Sequence, residues 1–369
     1  MIPFLKPYFD NDDLQAIMEV LQSGWVAQGP KVERFEEAVA DYLDCEHVVS
    51  VTNCTAALTL SLIALGISKN DEVIIPDFTF PATALAVTNV GAIPITADVE
   101  FDTYNINIDE LKKLITKRTK AIIPVHLFGL ACNMTDIMNF SKQEGLFVIE
   151  DAACALGTDV VFDDIIKKAG TIGDIGCFSL HAAKGITTGE GGLVCTNDEE
   201  LANRIRRLSS FGDERTYRRR MNDVPFYFDP IAGNYKMSDI TAALGLSQLH
   251  KIDQLTDWRI KVAQEWHEII SEDDYFKDKI ISQPKIVKDH THIYQSYVVV
   301  CSNNQQQNII NHLAYKGFVA GIGTHSCSRY PNVVYNNKHK NSDYLFRNSI
   351  SLPRYYGLEV KKEWEKVKA

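Results

Sequence analysis

The sequence predicts a layered α/β protein built on a mostly parallel sheet and followed by a smaller α+β unit. Between Asp41 and Asn197, short β-branched apolar runs alternate with stretches of helical apolar spacing. The runs lack polar alternation, which suits strands covered on both faces. The length, 369 residues, exceeds the roughly 100–200 of one ordinary domain, so two compact units are expected.

The strand-like runs are 47–52, 72–76, 120–125, 146–150 and 192–196, and the segments 55–65, 82–90, 109–115 and 135–143 between them read as helices. Right-handed crossovers join such strands, and ligands bind beyond their carboxyl ends. Residues 236–249 read as one amphipathic helix and 253–270 as a longer one. The boundary falls there, giving a large unit over 1–250 and a small one over 251–369, with the N-terminal segment free to pack on the latter. Within the small unit, 294–301 reads as a strand, 305–316 as a helix and 336–342 as a polar loop.

Composition removes several classes of function. Hydrophobic residues make up 45% and charged residues 23%, so the chain has the means to bury a substantial core. Lys plus Arg number 38 against 48 Asp plus Glu, a net charge of −10 that gives no global attraction for nucleic acid or anionic membrane. The eight cysteines are scattered, with no CxxC pair and no His/Cys cluster at zinc spacing, so reduced thiols and no metal are expected. The N-terminus lacks the basic start and apolar stretch of a secretory signal, and no run approaches the ~18 apolar residues of a membrane span. A cytoplasmic protein is expected.

Four local patterns carry chemistry. Thr52-Asn53-Cys54-Thr55-Ala56-Ala57 is a polar turn after a strand that opens a helix. Free N–H groups and the helix dipole there favour a phosphate, although an N-cap accounts for the same residues without any ligand. Glu150-Asp151 ends an apolar strand with two carboxylates, which alternation sends to opposite faces. Lys184 lies between small residues and the glycine-rich Gly189-Glu190-Gly191-Gly192. A lysine shielded from water there loses its proton more easily and becomes a nucleophile toward a carbonyl carbon; an ordinary turn lysine is the plainer reading. That glycine cluster precedes a strand, so it is no dinucleotide fingerprint, and a nicotinamide dehydrogenase is disfavoured. Last, Gly233 to Asp239 forms a turn into a helix capped by Ser238.

The order of these motifs resembles the sugar aminotransferases of the DegT/DnrJ/EryC1/StrS group. The likeness runs through SGWVAQGPKVERFE (Ser23 to Glu36), TNCTAAL, PDFTFPAT, PVHLFG, EDAACALG, GDIGCFSLHAAKGITTGEGG and GNYKMSDITAALGLSQL to GIGT (Gly321 to Thr324). The resemblance implies the fold-type-I architecture, a mostly parallel seven-stranded sheet between helices, with pyridoxal 5'-phosphate as cofactor. It makes Lys184 the residue that binds the cofactor covalently and Asp151 the partner of its pyridine nitrogen. It assigns Thr55, the Ala56 amide and Ser179 to the phosphate, Phe80 to stacking on the ring, and Cys154 to the neighbourhood of the ring oxygen. Asn234 would reach the phosphate of a neighbouring subunit, which implies a homodimer with shared sites.

The implied reaction is amino transfer from L-glutamate to a nucleotide-linked ketosugar, with SGWVAQGP and KGITTGEGG closer to the subgroup that aminates carbon 4 of 4-keto-6-deoxy sugars. The alternatives are a sugar dehydratase using the same cofactor, whose relatives carry His in place of the lysine kept here as Lys184, and a non-catalytic regulatory dimer. His181, Arg218, His325 and Tyr330 are the candidate substrate contacts, with Arg218 in a loop at 212–222 that also holds Arg215, Arg219 and Arg220. His126 in PVHLFG stands at the ligand edge, open to either a ligand contact or a packing role. Three positions depart from the family pattern: Cys154 stands where Gln, His or Glu is usual, Cys54 where Gly is common, and Lys236 where Arg is usual.

Overall fold

The computed structural model describes residues 1–212, 228–288, 290–330 and 339–366. A seven-stranded sheet organises the first part of the chain, in the spatial order His47–Val51, Gly192–Thr196, Ile175–Ser179, Phe147–Asp151, Thr119–Ile122, Glu72–Pro76, Ile93–Ala97. Only Gly192–Thr196 runs antiparallel to its neighbours. The predicted fold class is therefore observed.

Both faces of this sheet are covered, which explains the unbroken apolar runs. Ile74, Val148, Phe178 and Leu193 enter one core cluster, together with Phe35, Val39 and Leu43 of the helix Pro30–Leu43. Their chain neighbours Val73, Ile149, Cys177 and Val194 enter another, with Leu58 and Leu62 of the helix Cys54–Ala64. Each large apolar side chain so placed contributes about 1.5–3 kcal/mol of transfer free energy.

Residues 236–249 need correction. The helix spans Asp239–Leu249 and is buried on most sides instead of amphipathic. Ser238 caps it through the Thr241 amide at 3.2 Å, while Lys236 pairs in extended form with Val51. Its small residues let other helices close in: a Cβ on Gly245 would lie 2.6 Å from Phe35. Asp239 in turn accepts the amides of Gly29 (2.7 Å), Lys31 (3.0 Å) and Val32 (3.1 Å), supplying the N-cap that glycine cannot give the helix Pro30–Leu43.

The C-terminal part packs the helix Ile252–Glu272 on an antiparallel four-stranded sheet of Ile280–Ser282, Tyr297–Cys301, Ser349–Leu352 and Gly321–Ile322. Val262, Trp266, Ile269 and Ile270 recur at helical spacing and meet Tyr297, Val299, Ile350 and Leu352. The N-terminal segment joins this part, with the Ile2 amide donating to Gly317 at 2.7 Å. The strand expected over 294–301 begins only at Tyr297, because Tyr294 holds a left-handed backbone with φ of 47°. The polar loop expected over 336–342 is also corrected: residues 336–338 lie outside the described residues, and Lys340–Asn348 is a helix. Asp98 caps it from the first part of the chain, accepting the Asn341 and Ser342 amides at 3.0 and 2.9 Å.

Candidate active site

At the carboxyl edge of the sheet, the adjacent carboxylates Glu150 and Asp151 have opposite fates. Glu150 is fully buried and accepts from His126 Nε2 (2.7 Å) and from the amides of Gly170 (2.8 Å), Ile172 (2.6 Å) and Gly173 (2.6 Å). Burial pushes its carboxyl up, but these donors outweigh it and hold Glu150 below the usual range. His126 Nδ1 accepts the Cys132 amide at 3.0 Å, so the ring proton sits on Nε2, facing Glu150. His126 therefore serves packing, and its ligand-contact reading falls.

Asp151 points to the other face. It accepts the Thr83 hydroxyl at 2.7 Å and the Ala153 amide at 3.2 Å. Burial pushes its carboxyl above the usual range, against the pull of Thr83, the Ala153 amide and Lys184. A buried carboxylate held only by neutral donors has room for a cation, and a protonated pyridine nitrogen is such a partner.

Lys184 sits in a turn after the strand Ile175–Ser179, held by Lys184 N to His181 O at 2.9 Å and by Ala182 N to Gly189 O at 3.1 Å. The C-terminal part grips the same turn: Gln295 donates to Ala183 O at 2.8 Å and Arg259 to Gly185 O at 2.7 Å. The Lys184 ammonium donates to Cys154 Sγ at 3.3 Å. The sequence reading expected a lysine that loses its proton easily, and here it is corrected. Burial does push Lys184 down, but Cys154 and Asp151 outweigh it and the net shift is upward. Cys54, driven well above its usual range by burial, stays a neutral thiol near pH 7 and adds no charge.

The helix Cys54–Ala64 begins beside these groups. Asn53 caps it, accepting the Ala56 amide at 2.8 Å, so the N-cap reading is realised and that amide is already engaged. The Cys54 and Thr55 amides and the Thr55 hydroxyl remain as donors of the first turn. Gly192 makes the close approach possible: a Cβ there would stand 2.4 Å from the Asn53 carbonyl carbon. Ser179, buried at its strand end, accepts the His181 amide at 3.3 Å. Residues Tyr235 and Lys236 run alongside the same turn, with the Thr52 amide donating to Tyr235 O at 2.9 Å, and Asn234 is exposed next to them.

A second group gathers at Phe80. His325–Ser326 pairs antiparallel with Phe78–Thr79, and Asp77 locks the pairing by accepting Ser326 Oγ and the Ser328 amide, both at 2.7 Å. This places the His325 ring 5.8 Å from Phe80 and its Nδ1 2.7 Å from the Tyr330 hydroxyl. Phe80 is 64% exposed, so its face is available for stacking. His181 lies at the rim, 3.9 Å from Glu190. Arg218, with Arg215, Arg219 and Arg220, lies outside the described residues.

Thr83, Arg259, Gln295 and Arg354 escaped the sequence reading; only the Thr inside PDFTFPAT offered a local hint. Among the described residues no group of three or more His, Cys, Asp or Glu could hold a metal ion, and no helix is long and apolar enough to cross a membrane.

A lysine, a buried acid and a helix start at one sheet edge fit pyridoxal phosphate, and fold and site together define a pyridoxal-phosphate-dependent aminotransferase. The chain belongs to the DegT/DnrJ/EryC1/StrS aminotransferase family, whose model matches residues 7–368. It is 40% identical over 265 residues to the spore coat polysaccharide biosynthesis protein SpsC of Bacillus subtilis, covering 71% of this chain and 67% of that protein. It is 35% identical over 335 residues to the UDP-4-amino-4-deoxy-L-arabinose–oxoglutarate aminotransferase of Shewanella sediminis, covering 88% and 84%. The PLP and PMP forms of the putative sugar aminotransferase Spr1654 from Streptococcus pneumoniae superpose with a TM-score of 0.88 at 25% identity, each over 100% of this chain, and over 97% and 96% of those chains respectively.

Proposed function

We propose that this sugar aminotransferase moves an amino group from L-glutamate to carbon 4 of a nucleotide-linked 4-keto-6-deoxyhexose, as a cytoplasmic homodimer with shared sites. The observation that carries the reading is that Asp151 and Lys184 lie close enough at one sheet edge to feel each other's charge, the acid buried and the amine in a turn held by both parts of the chain. The Shewanella relative's name, with its 4-amino sugar and oxoglutarate, supports the choice of carbon and donor.

Bound pyridoxal phosphate supplies an electron sink for the carbanion left when an amino acid loses its α-proton. Asp151 would keep the pyridine nitrogen protonated, and Thr83 orients Asp151 by its hydrogen bond. Lys184 would bind the cofactor covalently, and its amine would hold and return the proton as base and then acid, a role of about 10²–10⁴-fold. Thr55, Ser179 and the start of the helix Cys54–Ala64 hold the phosphate. For Ala56 to join them, its amide must be shared with Asn53 or released by it.

Phe80 would stack on the ring, and Cys154 would lie by its oxygen. The sugar meets His181, His325 and Tyr330 on the Phe80 side, with Arg218 toward the diphosphate. Asn234 reaches the partner's phosphate; Phe211 and Ile231, 40% and 56% exposed near it, suit a face that a second subunit covers.

The test is a panel of nucleotide-linked ketosugars incubated with glutamate, the product weighed by mass spectrometry and its new nitrogen placed by NMR. Amination at carbon 4 is expected. Amination at carbon 3, loss of water without nitrogen uptake, or no transfer with any sugar overturns the reading.

A further inference from the structure

Among the described residues, Cys154 is the cysteine whose sulfur the Lys184 ammonium reaches, at 3.3 Å. Both members of this pair are half-buried, and backbone bonds fix both. Cys154 lies in the turn after the strand Phe147–Asp151, closed by the Ala152 amide on Cys177 O and the Ala155 amide on Ala152 O, each at 2.9 Å. The amide of Lys184 holds its own turn on His181 O, also at 2.9 Å.

The other thiols have different surroundings. Burial pushes Cys54 and Cys177 up, and Cys177 lies 3.4 Å from Ser61 Oγ. Cys132, Cys195 and Cys301 point at the carbonyls of Val125, Gly170 and Asn348, at 3.2, 2.8 and 3.0 Å, and Cys327 is buried. Cys45, the other half-buried thiol, points at His47 O at 3.9 Å.

Reactive cysteines sit in electropositive, partly exposed surroundings. An ammonium within hydrogen-bond reach and a half-open position give Cys154 both. The first product of thiol oxidation is a sulfenic acid, which condenses with a neighbouring thiol or nitrogen. For Cys154 the neighbour in place is a nitrogen, that of Lys184.

We propose that Cys154 and Lys184 form an oxidation site, at which hydrogen peroxide joins the two side chains through a sulfur–nitrogen bond and so withdraws the amine from chemistry. In the first step the sulfur gives an electron pair to the peroxide, whose O–O bond breaks; Cys154 becomes a sulfenic acid and one water leaves. In the second, the Lys184 nitrogen attacks that sulfur. The N–S bond forms, the S–O bond breaks, and the departing hydroxide takes a proton from nitrogen to give a second water. Sulfur is oxidised by two electrons and the peroxide is reduced by two.

The first step readies the second. Burial pushes Lys184 down, and Cys154 is the chief influence against it. A neutral sulfenic acid no longer opposes burial, so Asp151 is the anion that remains and the amine sheds its proton more readily. A cofactor attached to Lys184 occupies the same nitrogen, so the site opens only while that amine is free. This protection rests on the proposed function; the cross-link itself does not.

The test adds hydrogen peroxide to the cofactor-free chain and to the holoenzyme and maps tryptic peptides by tandem mass spectrometry. In the cofactor-free chain, a joined peptide pair holding Cys154 and Lys184 is expected, lighter than the two peptides together by two hydrogen atoms and parted by dithiothreitol. With pyridoxal phosphate at about ten times its dissociation constant, the cross-linking rate is expected to fall roughly tenfold. Sulfinic or sulfonic acid at Cys154 with no joined pair, or Cys154 left unoxidised, overturns the site. Lys184→Met removes the resolving amine and is expected to leave a sulfenic acid at Cys154 that dimedone captures; no capture overturns the sulfenic route. Equal cross-linking with and without cofactor overturns the protection, and with it the covalent role of Lys184, while the cross-link stands. The thermal unfolding of Lys184→Met, compared with wild type, separates a lost reaction from a lost fold.

Discussion

The Thr83 hydroxyl donates to the Asp151 carboxylate at 2.7 Å, tying the helix Ala82–Asn89 to the end of the strand Phe147–Asp151. Hydrogen bonds to a charged group contribute about 1.5–3 kcal/mol. Thr83→Val keeps the shape and removes the donor, so pyridoxal phosphate is expected to bind about 10–100-fold more weakly. A fluorescence titration of the apoenzyme measures this, and an unchanged dissociation constant would show that Thr83 plays no part in holding Asp151 ready.

On the proposed roles of Lys184, Lys184→Ala would remove both the covalent tether and the proton carrier. Turnover is expected to fall by at least about 10²–10⁴-fold, while the phosphate donors still retain some cofactor. Stopped-flow absorbance with glutamate reads the first effect, and cofactor content after dialysis reads the second.

Glu150 governs acid stability. Its folded carboxyl titrates below its ordinary value of about 4.3. The stability it contributes is therefore fully present above that value and drains away as pH falls through the folded one. Urea unfolding of the wild type at a series of pH values is expected to show this loss, whereas Glu150→Gln starts less stable and has a flatter acid limb. Parallel limbs would contradict the assignment.

Asp77 fastens the His325–Tyr330 stretch to the large sheet's edge. Asp77→Ala removes two bonds to one carboxylate, and a stability loss on the order of 3 kcal/mol is expected. In steady-state kinetics the KM for the ketosugar should rise, with the glutamate half-reaction unchanged. An equal rise for both substrates would place the stretch away from the sugar.

Much of this architecture was legible because its causes are local. Alternation at Glu150 and Asp151 foretold opposite faces, and the polar turn at Thr52 to Ala57 foretold a helix start with a cap. What could not be read depends on distant partners. Lys340–Asn348 looked like loop because its cap, Asp98, lies more than 240 positions away. Arg354 carries no local signal at all: its meaning comes from Gln295, Ser296 and the Lys184 turn, which only the folded chain brings together. The upward shift of Lys184 likewise depends on partners distant along the chain, Cys154 and Asp151.

The strand Phe147–Asp151 delivers one acid to a cage of backbone amides and the next to an open edge. A slip of a single residue in its pairing with Ile175–Ser179 would turn each of them to the opposite face. Asp151 would lose its Thr83 donor and Glu150 its cage of amides. Interstrand alignment is thus itself a determinant of reactivity here, so a mutation far from any ligand can silence the enzyme merely by loosening the ladder.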